Sequence, residues 1–200
     1  MPKVIDTRTD IVSAVRESAD FLSRGDLFIY PTDTIYGIGS DIYDETALKR
    51  IADIKGREKL QPYIILISSF DMLSEFANLS DDEKRLLEKY WPGPLTVILN
   101  SKIKLSPYID NKIGKIAVRM PDNEYCLKLI SEYGKPITST SANLHGKEQG
   151  SFDEILQNFN SYVDLFIYSG EVNSFKPSTI IDLTSTHIKL LRKGAIEDFG

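Results

Sequence analysis

The sequence predicts an α/β domain built on a twisted mixed sheet with flanking helices. Segments with the helical spacing of apolar residues alternate with short apolar runs over most of the chain, a pattern typical of layered α/β folds. The C-terminal part contains three strand candidates, which favours antiparallel pairing there. Neither an internal repeat nor a linker-like stretch interrupts residues 1–200, so we expect a single domain.

Each predicted helix has a sequence signal at one of its ends. Ser80 and Ser151 are each followed three residues later by glutamate, the pattern of a capping box. Gly56 and Gly134 fit the left-handed position that follows a helix. In chain order, the predicted helices begin at Thr9 or Asp10, at Asp44, at Ser80, at Tyr125 and at Ser151.

Short apolar runs between these helices predict the strands. In chain order, they cover 27–30, 63–67, 95–99, 116–118, 137–138, 163–168, 179–183 and 188–191. The glycines at 37 and 39 indicate a turn, and the hydroxyl-rich segment 139–143 is interpreted as a loop after its strand. Cys126 lies among apolar helix positions and is assigned to the core.

Composition excludes several classes of protein. With 42% hydrophobic and 26% charged residues, the chain can bury a core. One cysteine and two histidines exclude a disulfide framework within the chain and a four-ligand zinc site made of these residues. The net charge of -5 argues against nucleic-acid binding by bulk electrostatics. Since no apolar run approaches the ~20 residues of a membrane span and no signal peptide is evident, we expect a cytoplasmic protein without a membrane partner.

Four polar segments follow or end predicted strands, where ligands gather in open α/β sheets. Hydroxyls, a carboxamide and backbone N–H groups in 139–143 could hold phosphate oxygens. Lys55 and Arg57 combine a point charge with a planar fork, which suits carboxylates or phosphates. Arg119 directly follows an apolar strand, and 31–37 follows the first one. Taken singly, each segment also has a structural explanation as a turn, a cap or a solvated helix end.

Seven strings in the same order resemble the threonylcarbamoyl-AMP synthase family, which is built on the YrdC-like domain. They are YPTDTIYGIG at 30–39, KGR at 55–57, WPGPLTVIL at 91–99, IAVRMP at 116–121, STSAN at 139–143, PSTIIDL at 177–183 and LLRKG at 190–194. The resemblance covers nearly the whole chain. It implies the YrdC-like fold with a basic concave cavity, and, since the sequence stops shortly after LLRKG, the short single-domain form.

The resemblance also implies an activity. Members of the family form threonylcarbamoyl-AMP and pyrophosphate from L-threonine, bicarbonate or CO2 and ATP, for the t6A37 modification of tRNA. Mg²⁺ would enter with ATP, because the sequence shows no Asp/Glu cluster that would provide a metal site. tRNA or a threonylcarbamoyl transferase would be the partner that receives the intermediate.

Site residues are implied by the motif positions. The catalytic signature falls on Lys55, Arg57, Ser141 and Asn143. The threonine-binding positions fall on Thr34, Arg119, Ser139 and Ser178. The nucleotide-binding positions fall on Arg57, Gln61, Lys115, Ser141, Asn143 and Arg192. Two alternatives stay open: an RNA-binding module without catalysis, and a paralogue of the same fold that performs another carbamoyl or adenylyl transfer.

Overall fold

The computed structural model describes residues 2–56, 62–110, 112–144, 146–170 and 176–196. Its strands are β1 (Lys3–Asp6), β2 (Phe28–Tyr30), β3 (Gly37–Gly39), β4 (Ile64–Leu66), β5 (Leu95–Asn100), β6 (Lys115–Arg119), β7 (Ile137–Ser141), β8 (Leu165–Tyr168), β9 (Thr179–Asp182) and β10 (Lys189–Arg192). Its helices are α1 (Thr7–Ser23), α2 (Glu45–Ile54), α3 (Phe70–Ser74), α4 (Asp81–Glu88), α5 (Pro107–Asp110), α6 (Glu124–Tyr133) and α7 (Phe152–Phe159).

The strands form one mixed sheet in the order β1-β8-β2-β3-β7-β4-β6-β5-β9-β10. Parallel pairs join β8 to β1 and β2, β4 to β6, and β5 to β9. The remaining pairs are antiparallel, so the predicted mixed α/β sheet is confirmed. Antiparallel pairing of the C-terminal strands is confirmed only for β9 with β10, because β8 and β9 each pair in parallel with strands from earlier in the chain.

The turn predicted at 37–39 is wrong, because these residues form the inner strand β3. β3 pairs with β2 and β7. The rings of Phe28 and Tyr30 fill the space beside its glycines: a Cβ on Gly39 would lie 2.6 Å from a Tyr30 ring carbon, and one on Gly37 would lie 2.8 Å from the Ser139 hydroxyl. Close packing therefore requires glycine in this strand. From the sequence alone, the same glycines indicate a turn.

The loop predicted at 139–143 begins later than expected, since β7 continues through Ser141. Ser139 pairs with Ile64 and Ser141 with Gly37 in the two neighbouring strands. Hydroxyl side chains occur here in an inner strand because one side of the strand faces a cavity instead of the apolar core. Only Ala142 and Asn143 of this segment lie beyond the strand.

Other departures are at the ends of elements. β1, α3 and α5 have no predicted counterpart. Thr7–Ser23 consists of two helices joined at a kink: Asp6 is the N-cap of the first, and Asp10 caps the second by accepting a hydrogen bond from the backbone N–H of Ser13 at 2.9 Å, so the predicted cap Asp10 is confirmed. The predicted capping boxes of α4 and α7 and the left-handed Gly134 after α6 are confirmed.

Two apolar clusters pack against the sheet. The smaller one lies under α1 and α6 and includes Cys126, which is fully buried as predicted. The larger one includes Trp91, whose indole N–H donates to the carbonyl of Leu95 at 2.7 Å. Within the described ranges, no helix has the length and apolarity that a membrane span requires.

Candidate active site

A cavity of about 760 Å³ lies over the sheet where β3, β7, β4, β6, β5, β9 and β10 are neighbours. Strands that are distant in sequence are adjacent here, so polar residues from separate motifs share one wall. The predicted site residues that line this cavity are Thr34, Lys115, Arg119, Ser139, Ser141, Asn143, Ser178 and Arg192. The expected convergence of the motifs is therefore observed for these eight residues.

Arg119, the last residue of β6, lies at the most buried end of the cavity. Its guanidinium donates to the carbonyl of Gly93 at 3.0 Å, to the hydroxyl of Thr34 at 2.9 Å and to a carboxylate oxygen of Asp33. The two charged side chains are only 5% and 12% exposed. A charge buried to this degree is stable only when it is paired and hydrogen-bonded, so Arg119 is held in one orientation before any ligand arrives.

Local sequence explains how Arg119 finds these partners. The hydroxyl of Thr32 accepts hydrogen bonds from the backbone N–H of Thr34 and Ile35, at 3.1 and 3.2 Å, which fixes the turn that presents Asp33 and Thr34. On the other side, Gly93 N–H donates to the carbonyl of Met120 at 2.8 Å. The threonine-rich turn after β2 and the Trp-Pro-Gly-Pro segment before β5 therefore both lie against the end of β6.

Arg192 and Ser178 form a second polar group on β10 and at the start of β9. The Arg192 guanidinium donates to the Ser178 carbonyl at 2.8 and 3.1 Å and to its hydroxyl at 3.1 Å. The Ser178 hydroxyl also hydrogen-bonds the buried hydroxyl of Thr96 at 2.7 Å. Gly194 makes this arrangement possible, since a Cβ there would lie 2.2 Å from the carbonyl oxygen of Pro177.

Arg192 and Arg119 also affect each other electrostatically. Partial burial lowers the pKa of Arg192 below its ordinary value, and the positive charge of Arg119 lowers it further. Two like charges directed at one cavity destabilise each other, and an anion between them would relieve that repulsion. The cavity is therefore positively charged around these two arginines, although the chain as a whole carries a net charge of -5.

Lys115 begins β6 and Asp182 ends β9, so this pair lies at the strand ends opposite Arg119 and Ser178. The Lys115 ammonium donates to the hydroxyl of Thr184 at 2.5 Å and lies 3.4 Å from an Asp182 carboxylate oxygen. Burial acts to raise the pKa of Asp182, but hydrogen bonds from Thr184 and the charge of Lys115 outweigh it, so the pKa lies below its ordinary value. Ile98 and Ile180 provide an apolar floor between this pair and the arginines.

Lys55 is buried and lies behind the cavity wall rather than among its lining residues. Its ammonium donates to the carbonyl of Ser141 at 2.8 Å, to the carboxamide oxygen of Asn143 at 2.7 Å and to the Asn143 carbonyl. The solvated helix end considered from the sequence is thus excluded for Lys55. Its ammonium instead connects the end of α2 to the end of β7.

The remaining predictions concern three residues. Arg57 and Gln61 lie outside the described residues, so their placement stays a prediction. Cys126 does not line the cavity. Burial raises the pKa of the Cys126 thiol, and the nearby Asp33 carboxylate raises it further, so the thiol is protonated and unsuited to act as a nucleophile.

Sequence reasoning missed three polar residues that line the cavity: Asp182, Glu148 and Gln149. The Gln149 carboxamide accepts from the backbone N–H of Tyr36 and donates to its carbonyl, both at 2.7 Å. It thus makes the pair of hydrogen bonds that a neighbouring strand would make with Tyr36. Its position two residues before a capping box gave no signal of this contact. Asp182 could have been found, because it is a charged residue at the end of an apolar strand, as Arg119 is.

A family model covers most of the chain. The Sua5/YciO/YrdC model, whose description is "Telomere recombination", matches residues 20–194. The chain belongs to the Sua5/YciO/YrdC family. Among the family's curated members, the chain is 39% identical over 184 residues to the threonylcarbamoyl-AMP synthase of Pyrococcus abyssi and 30% identical over 188 residues to that of Vibrio vulnificus. The matches cover 91% and 92% of this chain, and 54% and 100% of those proteins.

Solved structures of family members have the same fold. The structure of P. abyssi Sua5 complexed with L-threonine matches with a TM-score of 0.88 and 36% identity, over 96% of this chain and 56% of that one. E. coli YciO matches with a TM-score of 0.86 and 27% identity, over 98% of this chain and 97% of that one. This family member therefore spans about half the length of the Pyrococcus protein and nearly the whole of YciO.

Proposed function

We propose that this chain is an L-threonylcarbamoyladenylate synthase, which forms threonylcarbamoyl-AMP and pyrophosphate from L-threonine, bicarbonate or CO2, and ATP. The observation that carries the proposal is the convergence of Arg119, Ser178 and Arg192 with Ser141 and Asn143 in one cavity of about 760 Å³. A site for this reaction must hold a carboxylate, a carbamate and a triphosphate together. The printed names of the Pyrococcus and Vibrio relatives support the same reaction.

The buried end of the cavity suits the amino acid. The Arg119 guanidinium has five N–H donors. Asp33, Thr34 and Gly93 do not use all of them, so donors remain for a substrate carboxylate. The hydroxyls of Thr34, Ser139 and Ser178 lie on the same wall and would contact the amino acid. The bound threonine in the related P. abyssi Sua5 structure supports this assignment.

The more open end suits the nucleotide. Arg192 and Lys115 would face phosphate oxygens and the nucleoside, with Ser141 and Asn143 at the reacting phosphorus. We propose that Mg²⁺ arrives on the triphosphate as part of the substrate, since the described residues contain no group of three or more His, Cys, Asp or Glu that could hold a metal ion. Asp182 at this cavity is poorly suited to hold a metal ion, because its carboxylate is already engaged by Thr184 and Lys115.

The reaction needs two bonds to form. The neutral amine of threonine attacks CO2 and loses a proton to give a carbamate, and a carbamate oxygen then attacks the α-phosphorus of ATP as pyrophosphate leaves. The chain's contribution is to hold these anions in contact and to offset their charge with Arg119, Arg192 and Lys115. The modification of tRNA by a transferase that takes up the product, in the cytoplasm, completes the proposal.

Mass spectrometry of the products tests it directly. The protein is incubated with L-threonine, ¹³C-bicarbonate and magnesium ATP, and we expect a threonylcarbamoyl-adenylate that carries the ¹³C label, with one pyrophosphate released per product. An incubation without bicarbonate is the control. ATP conversion that does not depend on threonine would contradict the proposal.

One alternative is a paralogue of the same fold that performs another carbamoyl or adenylyl transfer. The same incubation with a mixture of the twenty amino acids separates the two. A threonine adduct as the main product supports the synthase, and an adduct of another amine supports the paralogue. The RNA-binding module predicts neither adduct, and instead predicts salt-sensitive RNA affinity.

A further inference from the structure

Lys55 has the contacts of a residue that acts on the cavity wall from behind. Its side chain is only 3% exposed, and its ammonium reaches the backbone carbonyls of Ser141 and Asn143 and the carboxamide oxygen of Asn143. Ser141 and Asn143 both line the cavity. An ammonium group has only N–H donors and no acceptor, so each of these three oxygens accepts from it.

This chemistry determines which way the Asn143 carboxamide faces. A donor-only group can be satisfied by the oxygen of a carboxamide and never by its nitrogen. The Asn143 oxygen must therefore face Lys55, and the nitrogen must face away from it. The nitrogen donates one N–H to the carbonyl of Lys147, and its second N–H has no partner among the residues that the structure describes.

The orientation of the Asn143 carboxamide also determines the direction of the hydrogen bond from Ser141. Its hydroxyl lies within hydrogen-bond distance of the Asn143 carboxamide oxygen, which can only accept, so the Ser141 hydroxyl must be the donor. The lone pairs of that hydroxyl are then left for a ligand. One wall of the cavity thus offers an N–H donor at Asn143 and an acceptor at Ser141, and both assignments follow from the charge on Lys55.

We propose that Lys55 is a positioning residue that sets the donor and acceptor polarity of the cavity wall through Asn143 and Ser141, without touching the substrate. The role rests on the proposed function for the reaction that it serves. The donor at Asn143 would face an anionic oxygen of the nucleotide, and the acceptor at Ser141 would face a hydroxyl or an amine. Lys55 differs in this from Arg119 and Arg192, which line the cavity themselves.

The side-chain amide signals of Asn143 in a ¹H–¹⁵N spectrum test the positioning without any activity. Asn143→Asp assigns them, since it removes them. We expect the Lys55→Met protein to show these signals moved to the position of a free carboxamide, whereas Lys49→Met, an exposed lysine on the same helix, leaves them unchanged. Asn143 signals that are identical in the wild type and Lys55→Met would overturn the proposal.

Kinetic measurements distinguish a positioning role of Lys55 from a direct action of its charge on the substrate. We expect Lys55→Met to lower kcat by about 10- to 100-fold, as for other groups that orient a reacting side chain, with the threonine Kd within twofold of wild type because Arg119 is intact. Lys55→Arg keeps the charge but not the compact shape, so we expect no rescue. A folded Lys55→Met protein with wild-type kcat would overturn the proposal.

A third variant covers the case in which Lys55→Met fails to fold. Asn143→Asp keeps an acceptor for Lys55 and replaces the outward N–H donor by an oxygen, so we expect a folded protein with a tenfold or larger loss of kcat. Wild-type activity in Asn143→Asp would overturn the assigned polarity. Absence of threonylcarbamoyl-adenylate from the wild type would instead contradict the proposed function, and the amide signals would still test the positioning.

Discussion

The two ends of the cavity differ in how firmly their cations are held. Arg119 is buried, ion-paired to Asp33 and hydrogen-bonded to the backbone and side chains of two other segments. Arg192 is exposed on the edge strand β10, and its partner is the neighbouring Ser178. The buried end is thus held by contacts among several segments, whereas the cation at the open end is held by one neighbouring residue. This comparison predicts that substitutions at the buried end change stability and activity together, and that substitutions at the open end change mainly binding.

Arg119→Met should have the largest effect. It leaves the Asp33 carboxylate buried without its partner, which costs about 3 kcal/mol of unfolding free energy, and it removes the fork that we assign to threonine, so product formation should fall by about 100-fold or more. Urea unfolding and product mass spectrometry measure the two effects. Arg24→Met, which removes the exposed ion pair with Asp26, should change stability by less than about 1 kcal/mol. If the two variants lowered the unfolding free energy equally, the buried ion pair would contribute no more to stability than the exposed one.

Gly194→Ala should rank second and shows that even the open end has one rigid point. A Cβ at this position would lie 2.2 Å from the Pro177 carbonyl and 2.5 Å from Ser178 atoms, so backbone must move, at a cost of about 2 kcal/mol. Gly146→Ala is the matched control: nothing lies within 4 Å of its Cβ, and only the left-handed backbone resists alanine, which costs about 1 kcal/mol. Thermal and urea unfolding of both variants check the order.

Alkaline pH should weaken the buried end by a smaller amount. Burial raises the pKa of the Cys126 thiol above its ordinary value of about 8.5, so the folded state keeps a proton that the unfolded state loses. This contribution is complete below pH 8.5 and declines above it. Between pH 7 and 9.5 we expect it to lower the unfolding free energy by about 1.4 kcal/mol, and Cys126→Ala should show a decline that is smaller by this amount. The same pH slope in both proteins would contradict the assignment.

Arg192→Gln should have the smallest effect on stability, less than about 0.5 kcal/mol, because the side chain is exposed. Its effect should appear instead as a several-fold higher Kd for ATP, measured by calorimetry, with a weaker dependence on salt than in the wild type. An Arg192→Gln protein that binds ATP normally but unfolds much more easily would reverse the comparison between the two ends.

Much of the site could be predicted because its residues have unusual sequence settings. Arg119 ends an apolar strand, and the hydroxyls at 139–141 lie where a core strand would be apolar. These side chains are polar because they face the cavity, so their departure from the core pattern is itself the signal. The capping boxes at Ser80 and Ser151 were equally readable, since each is a contact between residues only three positions apart.

The contacts that could not be predicted from the sequence join residues that are distant in the chain. Gln149 binds the backbone of Tyr36 across 113 positions, and Gly37 of β3 pairs with Ser141, which is similarly distant in the chain. The contacts that the Lys55 ammonium makes with oxygens 86 and 88 positions away likewise had no signal in the sequence.

The sequence by itself determined the α/β class, most of the elements and the set of chemical groups at the site, because helix caps, apolar spacing and strand ends are local properties. Only the tertiary structure decided what each group contacts. The order of strands in the sheet brings β7, β4, β6, β5, β9 and β10 to one cavity. Burial then distinguishes the cations: Arg119 is held by a buried carboxylate, Lys55 lies behind the cavity wall, and Arg192 lies on the exposed edge strand. Burial depends on contacts between segments that the chain order keeps apart, so no local pattern could have assigned these three roles.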